Sequence, residues 1–452
     1  MEGSCERRLT RRELVTWAGG AALATVAGGI AAPARASSAH FPGAAAFDVE
    51  IATRWFDLTR DLVQGTAGYS PPVAARAFGY AGLTLYEAIV PGMDGYRSLA
   101  GVLAGLPPLP AAGRNEAYDW RAVANAALAS ITRDFFPTAG AALSAAVDRL
   151  EVGFAARLAA GLPLGVFDRS VRRGREVAAA LFDWSKGDGG HEAYARNFPP
   201  YLPPGGPGLW VPTPPAFSSA LQPFWGANRC FVLTDGADCA PGGHPPYSEA
   251  PTSAFHAEGI EVFEAVAGLT AEQEAIASFW SDDPGQTATP PGHSVSIATQ
   301  VLRREGASLA DAAETYAKVG MAVCDAFVAC WHAKYAYSLL RPVTYMRRAV
   351  DPAWLPLLVT PPFPEYPSGH SVQSGAAFQV LTDLFGHGYA FVDHTHDRHG
   401  LAPRSFHSFL EAADEAAISR LYGGIHFRSG IVNGVAQGRC IGAAVSALPF
   451  RE

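Results

Sequence analysis

Between two long stretches of helical periodicity lies a run through which no helix can persist. Residues 186–251 are dense in proline and glycine, with Pro199-Pro200, Pro203-Pro204-Gly205-Gly206-Pro207, Pro212, Pro214 and Pro215. Each proline removes a backbone donor and clashes with the preceding turn. Trp210, Phe217, Phe224 and Trp225 make the run too apolar for a disordered linker, so an ordered coil wrapping the fold is expected. On its N-terminal side the chain carries Ala-rich segments with apolar residues three and four apart, as in 123–136 and 141–160. Helical periodicity resumes near Ala254 and continues almost to the end, while strand alternation is scarce. The expectation is a mainly α fold: two packed four-helix-bundle-like halves, residues 47–185 and 254–448, with residues 186–253 as a Pro/Gly-rich ordered connection. A length of 452 residues suits two such halves, and a hydrophobic fraction of 49% suits a large core.

Only 17% of residues are charged and the net charge is −8. Neither nucleic acid nor an anionic membrane is therefore an expected partner. A buried cluster of cations in such a chain is all the more informative, because it runs against the overall sign. The N-terminus reads as an export signal over residues 1–36. Arg11-Arg12 precedes a mildly apolar Ala/Gly-rich run, and Ala34-Arg35-Ala36 offers a small-x-small cleavage site. This is a twin-arginine-type pattern, which implies a periplasmic or secreted protein with no stable membrane insertion. Of the six cysteines, only Cys230 and Cys239 flank a loop-like stretch and are candidates to pair after export. Near the C-terminus, Gly430, Gly434, Gly438 and Gly442 recur every four residues and line one helical ridge. Asn433, Gln437 and Arg439 interrupt the apolar run, so the ridge is expected to admit a close neighbour within a bundle.

Three segments carry side chains suited to an anion. A helix opening at a Ser308/Asp311 capping box has the apolar stripe Tyr316, Val319, Val323, Phe327, Cys330 and Trp331. One turn further, that stripe delivers Lys334, and Arg341 follows seven residues later near the helix end, before Pro342. Two inward cations call for an anion, since an unpaired buried charge costs roughly several kcal/mol. In the second segment Ser368 is suited to cap the helix at 372–384 and Gly369 permits close approach to backbone N–H groups. His370, in the first turn, can exchange protons with a bound group. In the third, Arg420 extends the inner stripe Phe409, Ala413, Ala416 and Ala417. The pair Gly423-Gly424 then turns the chain so that His426 re-enters the same space.

Taken in order, Lys-x6-Arg-Pro, Pro-Ser-Gly-His and Ser-Arg-x5-His resemble the tripartite signature of a known superfamily. It joins type 2 phosphatidic acid phosphatases, bacterial acid phosphatases and vanadium-dependent haloperoxidases. The resemblance covers about residues 331–427. It implies that Lys334, Arg341, Ser368, Gly369 and Arg420 bind the oxyanion, that His370 is the acid–base residue, and that His426 binds vanadium or attacks phosphorus. Vanadate would be the cofactor, with hydrogen peroxide, a halide and a small organic substrate as partners.

Neighbouring residues favour the haloperoxidase branch. Trp331 and Phe363 resemble the aromatic halide pocket of chloroperoxidases, and Trp280-Ser281-Asp282-Asp283 resembles bacterial homologues in which an Asp pairs with the second active-site arginine. Asp282 is the expected partner of Arg420. A secreted acid phosphatase with a phosphohistidine intermediate is the alternative. A second alternative, a non-catalytic His-rich metal-binding protein, rests on His394, His396 and His399 with Asp393 and Asp397.

Overall fold

A computed structural model describes residues 41–452. The expected signal and its arginine pair lie outside the described residues. Five helices precede the coil: α1 (Glu50–Gly65), α2 (Pro71–Ile89), α3 (Trp120–Phe135), α4 (Ala141–Ala159) and α5 (Leu164–Ser185). After it come α6 (Ala254–Ala267), α7 (Ala271–Phe279), α8 (Thr289–Arg304), α9 (Leu309–Tyr337), α10 (Pro342–Ala349) and α11 (Gly369–Phe385). A short antiparallel ribbon, β1 (Phe391–Asp393) with β2 (Arg404–Phe406), leads into α12 (Phe409–Tyr422) and α13 (Arg428–Ser446). The fold is mainly helical, as the periodicity requires.

Helix α9 is the organising element. Ser308 and Asp311 cap it reciprocally, and it is buried over nearly its whole length. It crosses α2 at backbone contact: a Cβ at Gly82 would lie 2.2 Å from the Tyr316 carbonyl oxygen. Glycine is thus required at that crossing, which joins the first helical stretch to the second. A comparable seam joins α11 and α13. The glycine ridge expected from the sequence faces α11, where a Cβ at Gly438 would lie 2.1 Å from the Val372 carbonyl oxygen.

The coil is ordered because polar and apolar anchors hold it. Asp325 on α9, fully buried, accepts hydrogen bonds from the backbone N–H groups of Phe231 (2.7 Å), Val232 (2.8 Å) and Leu233 (3.2 Å). Trp210 and Trp225 are buried, whereas Phe217 and Phe224 are exposed. The expected Cys230–Cys239 pairing is corrected. Cys239 is bonded to Cys440 on α13, and Cys230 is a free, buried thiol. Pinning of residues 231–233 on Asp325 holds Cys230 in the core, while the chain beyond it runs on to α13. No helix among the described residues is long and apolar enough to cross a membrane.

Candidate active site

Lys334 lies in the last turn of α9, fully buried. Its Nζ donates to the carbonyls of Pro364 (3.0 Å), Glu365 (2.9 Å) and Pro367 (2.5 Å). Burial pulls this amine down to about 7. The helix stops three residues later, where Ser338 adopts left-handed geometry and its N–H reaches the Lys334 carbonyl. Arg341 is therefore not on the helix face expected from its spacing. It is the extended N-cap residue of α10, with Pro342 at the first helical position. The two cations meet all the same, against one ring: Lys334 Nζ is 5.0 Å and Arg341 Cζ 4.8 Å from the Phe363 centroid.

Arg341 donates from Nε to Phe363 O (2.8 Å) and from Nη1 to Ile425 O (2.9 Å), and Nη1 stands 3.2 Å from His426 Nε2. His426 follows α12, after Gly423 and Gly424, the latter with φ +73°. Its Nδ1 is 2.7 Å from Glu365 Oε1, which also accepts the Phe427 N–H at 3.0 Å. A carboxylate at Nδ1 places the proton there and leaves a lone pair on Nε2. Burial, then Arg341 and Lys334, hold this imidazole well below its usual range. Burial pushes the Glu365 carboxyl up to about 7, against the pull of the same two cations. Glu365 was not singled out from the sequence. Its only local signal is an acid set between Pro364 and the Pro-Ser-Gly-His run.

Ser368 caps α11 by accepting the Ser371 N–H, and His370 follows in the first turn. Burial, then Arg420, keep His370 well below its ordinary value, hence neutral. Arg420 lies in the last turn of α12 and donates from Nη1 to Trp280 O at 2.8 Å. His370, Arg420, His426, Gly369, Trp331 and Phe363 line one cavity of about 370 Å³. Lys334 and Arg341 are not among its lining residues but pack against the Phe363 ring that is. The Trp331 and Phe363 rings sit 4.9 Å apart. Much of the remaining lining is apolar, from Pro214, Pro215, Leu221, Phe327 and Val359.

Two expectations are corrected. Asp282 borders the cavity but does not pair with Arg420. Its Oδ2 lies 2.8 Å from His293 Nδ1, and its Oδ1 3.2 Å from His396 Nε2. His293, in the first turns of α8, takes the carboxylate that sequence reasoning assigned to the arginine. The His/Asp patch is also not one surface group. Asp393 and His396 are buried, while His394, Asp397 and His399 are exposed.

Residues 314–450 match the family described as VCPO second helical-bundle domain. The chain is 28% identical over 167 residues to the vanadium chloroperoxidase of Curvularia inaequalis, an alignment covering 30% of this chain and 27% of that enzyme. A crystal structure described as the first bacterial vanadium-dependent iodoperoxidase superposes with a TM-score of 0.81 at 36% identity, over 88% of this chain and 96% of that one. The chain belongs to the vanadium-dependent haloperoxidases. A bacterial vanadium-dependent chloroperoxidase in its holo form shares the fold, with a TM-score of 0.63 at 18% identity over 85% of this chain and 93% of that one.

For a haloperoxidase of this family the residues must suit a tetrahedral or bipyramidal oxyanion, and they do. Arg341 Nη2, Arg420 Nε and His370 Nε2 are buried with no hydrogen-bond partner among the described residues. Unpaired guanidinium N–H groups in a dry setting are costly, and an oxyanion supplies the acceptors they lack.

Proposed function

We propose that this haloperoxidase uses hydrogen peroxide to oxidise halide, or to halogenate a small organic substrate, at a vanadate held by Lys334, Arg341, Ser368, Gly369, Arg420 and His426. The observation that carries this reading is the pair of partnerless buried donors on Arg341 and Arg420, with His370 Nε2 likewise unpartnered, beside His426, whose Nδ1 faces Glu365. Vanadate, when bound, supplies a vanadium(V) Lewis acid that activates peroxide without a change of oxidation state. At about 4 Å and an effective dielectric near 20, each cation attracts it by roughly 4 kcal/mol.

The protein's own groups divide the remaining work. Arg341 and Arg420 neutralise and orient the oxyanion. Lys334 adds charge from behind and, through three carbonyls, holds residues 364–367 in place. His426 would present Nε2 to the metal, and His370, neutral at rest, would accept a proton at Nε2 and return it. Trp331 and Phe363 form a water-poor wall against which a weakly hydrated halide can sit. The test withholds or adds orthovanadate to purified protein and measures peroxide-dependent halogenation, iodide first because a similar structure is described as an iodoperoxidase. Halogenation that switches on with vanadate and is competed by phosphate is expected. Fast phosphomonoester hydrolysis without vanadate, and only inhibition with it, would instead make the protein a phosphatase.

Phe363→His should alter halide preference, or the pH profile of bromide oxidation, with vanadate affinity unchanged to about threefold, since the ring faces the cavity and donates nothing to an oxyanion. A hundredfold loss of vanadate affinity would mean that the ring instead supports Lys334 and Arg341. Export before use is also proposed, from the Arg11-Arg12 pair and the Cys239–Cys440 bond, which suits an oxidising compartment. Replacing both arginines by lysine should trap precursor in the cytoplasm. Unchanged export would refute the twin-arginine route.

A further inference from the structure

At one edge of the cavity lies a second group of potential ligands that the proposed reaction does not use. Asp282, His293 and His396 come from three different parts of the chain, and one ligand atom of each falls within a 4.8 Å span. All three are at least 97% buried. We propose that Asp282, His293 and His396 form a binding site for one divalent transition-metal ion of the zinc type, separate from the oxyanion site.

Distances and unpaired atoms support this. His396 Nε2 and Asp282 Oδ1 are 3.2 Å apart, yet neither has a hydrogen-bond partner among the described residues. Zinc bonds of about 2.0–2.2 Å in tetrahedral array separate two ligand atoms by about 3.3–3.6 Å. These two atoms are therefore spaced for a shared cation and poorly aligned for each other. His293 Nδ1 is hydrogen-bonded to Asp282 Oδ2 at 2.8 Å, a contact that an ion at this nitrogen would replace. Its other nitrogen, Nε2, meets Asp393 Oδ2 at 2.7 Å. A carboxylate on the far nitrogen of a ligating histidine fixes its tautomer and raises its basicity. Asp393 is itself fixed through Oδ1, by Thr395 N (2.9 Å), Thr395 Oγ1 (2.6 Å) and Gln300 Nε2 (3.2 Å). His293 also stacks on Trp280 with ring centroids 4.4 Å apart, so its plane is set.

Charge accounting points the same way. Two buried carboxylates face one histidine held between them and a second with unpaired nitrogens. With both imidazoles neutral, a divalent ion offsets the two carboxylates and brings the sum to zero. Asp282 belongs to this site and also borders the active cavity.

The test uses the full chain, stripped with chelator in vanadate-free buffer and titrated with Co2+ and then Zn2+. One equivalent of Co2+ with visible d–d bands is expected, displaced by Zn2+. His396→Ala and the more conservative His396→Gln should each weaken binding at least about a hundredfold, and Asp393→Asn about 10–100-fold. His394→Ala, on the exposed side of the same turn, should leave it unchanged. Absence of Co2+ bands in the native chain would overturn the proposal. So would unaltered affinity in a folded His396 variant, or loss of binding in His394→Ala, which would move the ion to the surface.

Discussion

The His426→Ala protein is expected to lose halogenation entirely and to bind vanadate at least about a thousandfold more weakly, equivalent to about 4 kcal/mol. Two effects add. The substitution removes Nε2, the nitrogen left without a proton by the Glu365 contact at Nδ1. It also leaves Glu365 Oε1 with only the Phe427 N–H in a setting where an under-satisfied carboxylate is costly. Vanadate binding followed by vanadium-51 NMR, beside a thermal melt, separates loss of the ligand from loss of the fold. His370→Ala makes the contrast. It should hold vanadate to within about tenfold and lose turnover by about 10²–10⁴, since His370 handles protons and supplies no fixed charge. Full halogenation by the His426→Ala protein would refute the assignment of the site.

The second large effect lies away from the cavity. Gly438→Val should destabilise the protein by about 3 kcal/mol or more, at the upper end for overpacking. A Cβ there would stand 2.1 Å from Val372 O and 2.8 Å from Ala376 N, both backbone atoms that cannot swing aside. Relief requires α13 to move off α11, whose first turn carries Gly369 and His370 and whose cap is Ser368. Vanadate affinity should therefore fall together with stability. Denaturant unfolding compared with Val432→Ala, on the exposed side of α13, measures it. An unchanged midpoint would mean that the seam is looser than the glycine spacing indicates.

What the sequence revealed of this site was what local geometry encodes. The stripe of α9 leads to Lys334, the Ser368 cap precedes His370, and a glycine pair turns the chain back to His426. Each is a matter of helical period or cap chemistry within one segment. The glycine ridge was legible for the same reason, since a period of four marks one helix face. Partner choice among buried polar groups was not legible. Asp282 was assigned to Arg420, but His293 claims it, and the far side of His293 is held by Asp393, one hundred residues on. Glu365 has no signal within its own segment that marks its role, because a buried carboxylate is recognised by what surrounds it, and its histidine lies 61 positions away. Cys239 and Cys440 are 201 residues apart, a separation on which spacing is silent.

That last bond encloses more than it joins. Every residue proposed to hold vanadate, from Lys334 to His426, lies on the covalent ring closed by Cys239 and Cys440. A protease that cuts once in the exposed turn around residues 398–403 opens the ring without releasing a fragment. The two pieces stay tethered until a reductant separates them. Nicked enzyme should therefore run as one full-length band on a non-reducing gel and as two bands on a reducing one. In an oxidising, protease-rich environment, the tether lets a damaged molecule keep both halves of its site at an effective concentration that free fragments could not reach.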